Sequence, residues 1–262
     1  MDILETHAYH RRQRRNKVHS TLLSETRWKG DSCALFLSLL PFFLSAALYF
    51  YLWTPDSPPS IMSAGVKSAP VLLLAAAVLS WNGGQSVLGV VGGLVFSAVG
   101  DCCLVWPELF LHGMGAFAVA HLLYSVSFLS SRYTKNSSSC WSRFLYLILF
   151  MVGGGYYTYL FSYLQKDPNS EVLTPAVGVY FVLITLMGVL AVRTGNIPTL
   201  LGSLSFMVSD ATLSLQVFKV VESMQHGTTV VMVTYYLAQF LIAVGDMQAV
   251  EDTDDFSKWK RS

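Results

Sequence analysis

The chain has 262 residues, 53% of them hydrophobic, with 17 basic and 16 acidic side chains and a mean hydropathy of +0.49. Soluble domains carry roughly a quarter charged residues; the 13% found here excludes a disordered chain, a collagen-like fibre and a disulfide scaffold. A net charge of +1 argues against a nucleic-acid partner, and the 214 residues between the two polar ends hold only 15 of the charges.

Residues 1–32 form the first element, a basic tail read as disordered, with Arg11, Arg12, Arg14, Arg15 and Lys17 clustered. Beside a membrane domain such a cluster suits contact with anionic lipid better than a nucleic-acid arm. The first apolar run starts only at Cys33, too late for a cleaved signal peptide. A bilayer core of ~30 Å needs about 20 apolar residues per helix. Eight such runs follow, at 33–53, 61–80, 86–106, 112–131, 144–163, 174–192, 198–218 and 228–245. Breakers separate them: Pro55, Pro58 and Pro59, then Asn82-Gly83-Gly84, then Pro107, then Asn196 and Pro198. Barrel strands would be shorter and would alternate in polarity. The expected fold is all-α, an eight-helix transmembrane bundle over 33–246, with a polar tail at 247–262.

Charge sets the orientation. With the N-terminus inside, inner segments carry 14 Lys and Arg and outer loops carry 2, Lys166 and Lys219. That bias places both termini in the cytosol. The sequon at Asn136 then faces the cytosol, where it is not glycosylated. Cys33, Cys102, Cys103 and Cys140 form no zinc-type or redox pair and read as free thiols. Gly89 and Gly93 make a small-xxx-small pair suited to close helix packing, and Gly153 to Gly155 lie inside the fifth run. Gly93 precedes Asp101 by eight residues, as Gly202 precedes Asp210. This is either chance or a trace of two parallel four-helix halves, each supplying one Asp.

Three ionisable residues other than His lie deep in the apolar runs: Lys67, Asp101 and Asp210. Each costs roughly 2.5–3.5 kcal/mol at mid-helix on insertion scales, so each needs a partner or a wet cavity. His121, Tyr124, Tyr180, Tyr235, Tyr236 and Gln239 add polar groups. At ~1.5 Å per residue, the groups on five helices fall about 8–16 Å beneath the outer edge. Phe117, His121 and Tyr124 share a helix stripe, as do Ser203, Asp210 and Ser214, while Tyr235 and Gln239 are four apart. One polar cavity in the outer half of the bundle accounts for this. Lys67 is read as a counter-ion for either Asp or as a partner for a lipid phosphate. His121 alone also suits an interhelical hydrogen bond, and the tyrosines also suit packing. Asp246 reads as interfacial at the inner end of the eighth helix, and Glu108, His112 and His226 as solvated on outer turns. Catalytic zinc wants three protein ligands, and only His121 of the six histidines is deep, so no metal site is assigned.

Several pieces now carry a resemblance: Lys67-Ser-Ala-Pro70, GGLVFSAVGD ending at Asp101, Phe110 and Gly113 with the Phe117–His121–Tyr124 stripe, Gly202 to Ser209-Asp210, and Thr234-Tyr235-Tyr236-Leu-Ala-Gln239. In order and spacing over roughly 33–246 the chain resembles the YhhN-type family of integral membrane lysoplasmalogenases; the tails do not match. The resemblance implies hydrolysis of the vinyl ether of lysoplasmalogens to a fatty aldehyde and glycerophosphocholine or glycerophosphoethanolamine. It also implies an endoplasmic-reticulum-type membrane and no required cofactor. The lipid substrate and the bilayer are the implied partners, with room for a homo-oligomer. Vinyl ether hydrolysis protonates the β-carbon, and water then adds to the oxocarbenium ion. One acid and one anionic group meet that need, as in glycosidases. The expectation is that Asp101 and Asp210 divide these roles, with Asp210 favoured as acid, Lys67 on the anionic Asp or the phosphate, and His121, Tyr235 and Gln239 holding water and the glycerol hydroxyl. Tyr and Trp faces would hold a choline group. The competing readings are an ion-coupled transporter and a non-catalytic lysolipid-binding protein.

Overall fold

The computed structural model describes residues 34–52, 58–133, 140–220 and 227–259. The basic tail, Cys33, the Asn136 sequon and His226 lie outside the described residues. Among those described there are helices and turns and no strand, and seven helical stretches are long and apolar enough to cross a membrane. The chain divides into two units, 1–41 and 42–262. Helix α1 runs over Ala34–Leu52. Within the first unit, Ser38 Oγ donates to the Leu35 carbonyl at 2.8 Å. In the second, Phe42 stacks on Phe240 with centroids 5.7 Å apart, and Tyr49 meets Tyr236 edge-on at 5.5 Å.

The second and third expected spans form one helical stretch of 43 residues, Ile61–Cys103. A straight helix of that length would measure about 65 Å, and this one does not stay straight. Helix α2 (Ile61–Asn82) ends at Gly83, whose φ of +59 is open to glycine, and a wide turn with non-helical angles at Gly89 leads into α3 (Gly92–Cys103). The two arms pack against each other. The Asn82-Gly83-Gly84 break is therefore where the sequence places it, but regular helix resumes at 92 rather than 86. The reason is lateral: a side chain at Gly89 would strike Ser127, and one at Gly92 would strike the Val87 carbonyl.

The remaining helices are α4 (Phe110–Leu129), α5 (Cys140–Leu164), α6 (Ser170–Thr194), α7 (Ile197–Val217) and α8 (Gly227–Trp259). Asn196 caps α7 by accepting from the Thr199 amide at 3.0 Å, with Pro198 in the first turn, where its missing N–H is harmless. Helix α7 packs along α8, α3 along α4, and α6 joins α4, α5 and α7. Gly202 lets α7 approach the α8 backbone; a Cβ there would lie 2.9 Å from Ile242 N. The outward surface is apolar, with Met151, Val182, Val208 and Leu237 exposed, while Asp101, His121, Gln239 and Asp246 are buried. Lipid is the solvent that such an inverted surface suits.

Helix α8 continues past the expected boundary at 245, because Met247 and Val250 extend the buried face of Ile242 and Ala243. Asp246 is consequently not interfacial but wholly buried. Arg132 Nη1 pairs with its Oδ1 at 3.2 Å, and Asn82 Nδ2 donates to its Oδ2 at 2.9 Å. Ser86 Oγ also donates to Oδ2, and Ser127 Oγ and Tyr133 Oη donate to Oδ1 at 3.2 and 3.4 Å. Burial, reinforced by the Asp246 charge, pushes the Tyr133 hydroxyl well above its ordinary range, so it serves as a neutral donor. This cluster ties the α2–α3 turn to the end of α4 and the middle of α8 through side chains alone.

Candidate active site

At the opposite end of the bundle the start of α2, the end of α3, the start of α4, the end of α7 and the start of α8 surround a cavity of about 530 Å³. Asp101, Asp210, Lys67 and Tyr235 all line it. Four of the nine candidate residues thus meet at one void, each from a different helix.

Asp101 lies near the end of α3, with its carboxylate 2% exposed. Lys67 Nζ stands 3.6 Å from Oδ1, and Tyr235 Oη donates to Oδ2 at 2.5 Å. Both oxygens face donors, which is the setting of a carboxylate anion. Lys67 is placed by α2, where Pro70 follows within a turn and cannot donate to the helix. The Lys67 carbonyl accepts from Tyr236 Oη at 2.7 Å, which fastens α2 to α8. Tyr236 is therefore a strut behind the lysine. The Tyr235 ring is boxed edge-on by Phe117 and Phe206, with centroids at 5.8 and 5.5 Å.

Asp210 has different company. Tyr180 Oη donates to its Oδ2 at 2.5 Å, and His121 Nε2 lies 3.3 Å from that oxygen and 3.0 Å from the tyrosine oxygen. His121 Nδ1 lies 3.4 Å from Met187 Sδ. Sulfur has no proton to give, so this contact offers Nδ1 at most a weak acceptor. Nε2 then faces two oxygens, and the only hydroxyl proton there is already directed at Asp210. A proton between Asp210 and His121 Nε2 satisfies the group. The two Asp thus occupy unlike settings: Asp101 faces a cation, whereas Asp210 faces a tyrosine hydroxyl and an imidazole.

His121, Tyr124 and Gln239 stand behind the wall of the cavity rather than on it. His121, Tyr124 and Gln239 are fully buried. Tyr124 Oη donates to Gln239 Oε1 at 2.6 Å and sits 3.4 Å from Ser97 Oγ. Gln239 Nε2 is buried with no hydrogen-bond partner among the described residues. Gly93 makes this layer possible, because a Cβ there would collide with the Tyr124 ring. Gly93→Ala is expected to cost about 1–3 kcal/mol by overpacking. Gly115→Ala, with nothing within 4 Å of a Cβ, serves as control. Thermal unfolding of the two variants in detergent checks this; equal midpoints would count against the close approach.

The cavity also includes Ser63, Trp106, Gln216 and Thr228, which the sequence reading did not select. For two of them the signal was available: Ser63 is four before Lys67 and Thr228 seven before Tyr235, both toward the open end. Ser203, placed by spacing on the Asp210 stripe, instead donates to the Thr199 carbonyl at 2.9 Å, and Ser214 is 2.8 Å from Tyr156 Oη. Glu108 and His112 are exposed. Among the described residues no three of His, Cys, Asp and Glu converge as metal ligands.

The YhhN family matches residues 62–245, a stretch that holds every candidate side chain from Lys67 to Gln239. The lysoplasmalogenase TMEM86B of Sus scrofa is 39% identical over 212 residues, 80% of this chain and 87% of that protein. Lysoplasmalogenase TMEM86B of Homo sapiens is 36% identical over 82% of this chain and 89% of its own length. A lysoplasmalogenase of Mycobacterium tuberculosis is 28% identical over 60% of each chain. No solved structure matches the chain. An all-helical bundle with apolar outer faces, and a family match from the start of α2 into α8, lead to one assignment: the chain belongs to the YhhN family.

Proposed function

We propose that this protein is a lysoplasmalogenase, hydrolysing the vinyl ether of alkenyl-glycerophosphocholine or -ethanolamine to a fatty aldehyde and the glycerophospho-base. The observation that carries it is the pair of carboxylates lining one cavity in unlike settings, Asp101 against Lys67 and Asp210 against Tyr180 and His121. Asp210, holding the shared proton, gives it to the β-carbon of the vinyl ether, and the C=C π electrons form the new C–H bond. The oxocarbenium ion left behind is stabilised by the Asp101 anion. A water adds to its carbon and passes a proton to Asp101, which yields a hemiacetal. In the collapse Asp210 takes back the hemiacetal hydroxyl proton, while Asp101 gives its proton to the departing glycerol oxygen. The carbon–oxygen bond breaks, aldehyde and alcohol leave, and both carboxyls return to their starting states with one water consumed. No outside acid is required. His121 and Tyr180 hold the Asp210 proton between turnovers. Lys67 and Tyr235 hold Asp101 in place and keep it anionic.

The same reading has the two arms of Ile61–Cys103 crossing the bilayer separately, so that eight crossings leave both termini cytosolic and the cavity opens on the outer side. The arms' mutual packing and the 14-to-2 charge bias support this. The membrane is that of the endoplasmic reticulum, and two parallel four-helix halves would each bring one Asp. Purified protein in detergent is expected to release aldehyde from alkenyl lysolipid with no added cofactor, measured by coupled aldehyde reduction. A transporter needs a sealed bilayer and a binding protein performs no turnover, so absence of aldehyde would sink the proposal.

A further inference from the structure

The cavity has a neighbour. A narrow cleft of about 40 Å³ lies where α4, α6 and α7 meet, between Met114, Val177, Phe181 and Phe218. Five residues line both spaces: Leu104, Phe110, Phe117, Leu213 and Asp210. Asp210 is the one polar member of the five.

The two spaces differ in chemistry. The cavity carries Lys67, Asp101, Ser63, Gln216 and Thr228. In the cleft, Tyr180 spends its hydroxyl on Asp210, and Ser214 Oγ is engaged by Tyr156 Oη and the Ala211 carbonyl. What the cleft offers a ligand is therefore carbon. Its outer walls, Met114, Phe181 and Phe218, are partly exposed and rest on a buried cluster of Leu160, Leu164, Leu173 and Val177. The cluster gives the cleft a firm backing, and Met114, packed against it, can re-pack around an inserted group.

We infer that this cleft is the subsite for the hydrocarbon chain of the substrate, with the first carbons beyond the vinyl ether threaded between α4, α6 and α7. The inference rests on the lysoplasmalogenase reading. The bond to be cut joins a polar glycerophospho-base to an aliphatic chain, so the reacting atoms must lie where a polar space meets an apolar one. Asp210 stands at that boundary. The carbon to be protonated is one atom further into the chain than the carbon that takes water. This puts the acid on the cleft side and Asp101, which lines the cavity alone, on the side of the water and the glycerol oxygen. A chain so placed accords with the division of roles proposed above. The cleft holds little more than one water-sized group, a water's share of liquid being ~30 Å³. It admits a single extended chain by displacing Met114 and Phe218, and the rest of the chain passes into the surrounding lipid.

The test compares two substrates with the same glycerophosphocholine head: a hexadecenyl lysolipid and a propenyl analogue with one carbon beyond the vinyl ether. Wild-type and Met114→Trp protein are assayed in the same detergent for aldehyde release. Met114→Trp is expected to lower the ratio of kcat/KM for the long chain to that for the propenyl analogue by at least about tenfold, the scale of filling a hydrophobic pocket. Phe181→Ala, which opens the cleft, is expected to raise relative turnover of a chain carrying a phenyl group next to the vinyl ether, and it stands in if Met114→Trp does not fold. Unchanged ratios in both variants would overturn the chain subsite while leaving the hydrolase reading intact. Failure of wild-type protein to release aldehyde from either lipid would overturn both.

Discussion

Asp210→Asn is expected to lower the rate of aldehyde release by about 10²–10⁴-fold, the usual contribution of a positioned acid or base. The substitution keeps size and the hydrogen bond from Tyr180, so the α6–α7 contact at 2.5 Å survives while the proton to be donated does not. Asp101→Asn should reduce turnover by a similar factor for a different reason. Its amide has no anionic charge to stabilise the oxocarbenium ion and cannot take the proton of the attacking water. The two can be separated with an added ligand: a cationic mimic of the oxocarbenium ion should inhibit Asp210→Asn protein more strongly than Asp101→Asn protein. Steady-state assays on purified, monodisperse variants decide the matter. Wild-type turnover in both would rule out the two-carboxylate mechanism.

The second large effect lies at the other end of the bundle and concerns stability. Asp246→Ala leaves Arg132 facing a buried site without its 3.2 Å partner, together with unmet donors on Asn82, Ser86, Ser127 and Tyr133. Breaking a buried ion pair from one side typically costs about 3–5 kcal/mol, whereas replacing both partners with apolar groups is often near neutral. Asp246→Ala should therefore unfold well below wild type in detergent, and the double variant Asp246→Leu with Arg132→Met should recover most of the loss. A single variant that melts with wild type would mean that the cluster contributes nothing. Because α3 begins at the turn anchored by this cluster and ends beside Asp101, partial loss of turnover should accompany the loss of stability.

Asp246 also shows where reading along the chain stops. Its position near the end of an apolar run suggested the interface, because run length reports only average polarity. The buried continuation through Met247 and Val250 depends on partners from α2 and α4 that are more than a hundred residues away. The start of α3 failed the same way: glycines at 89 and 92 look like ordinary helix until Ser127 and Val87 are brought against them. Lys67, Asp101 and Asp210, by contrast, were legible at once. A charge in an apolar helix is expensive wherever it points, so its presence alone marks a site.

From the chain alone, run lengths, breaks and charge placement established an all-helical bundle suited to lipid and singled out three ions within its apolar runs. Helical spacing could also say that His121 shares a face with Tyr124 and Tyr235 with Gln239. It could not say that Tyr124 would give its proton to Gln239, that Tyr235 would turn to Asp101, or that His121 would join Asp210. Periodicity records which side of a helix is buried, and every helix here buries one. Which buried sides meet, and hence which carboxylate faces a lysine and which an imidazole, follows from how glycines at 93 and 202 let neighbouring helices close up. The contrast between the two Asp is therefore a property of the assembled bundle.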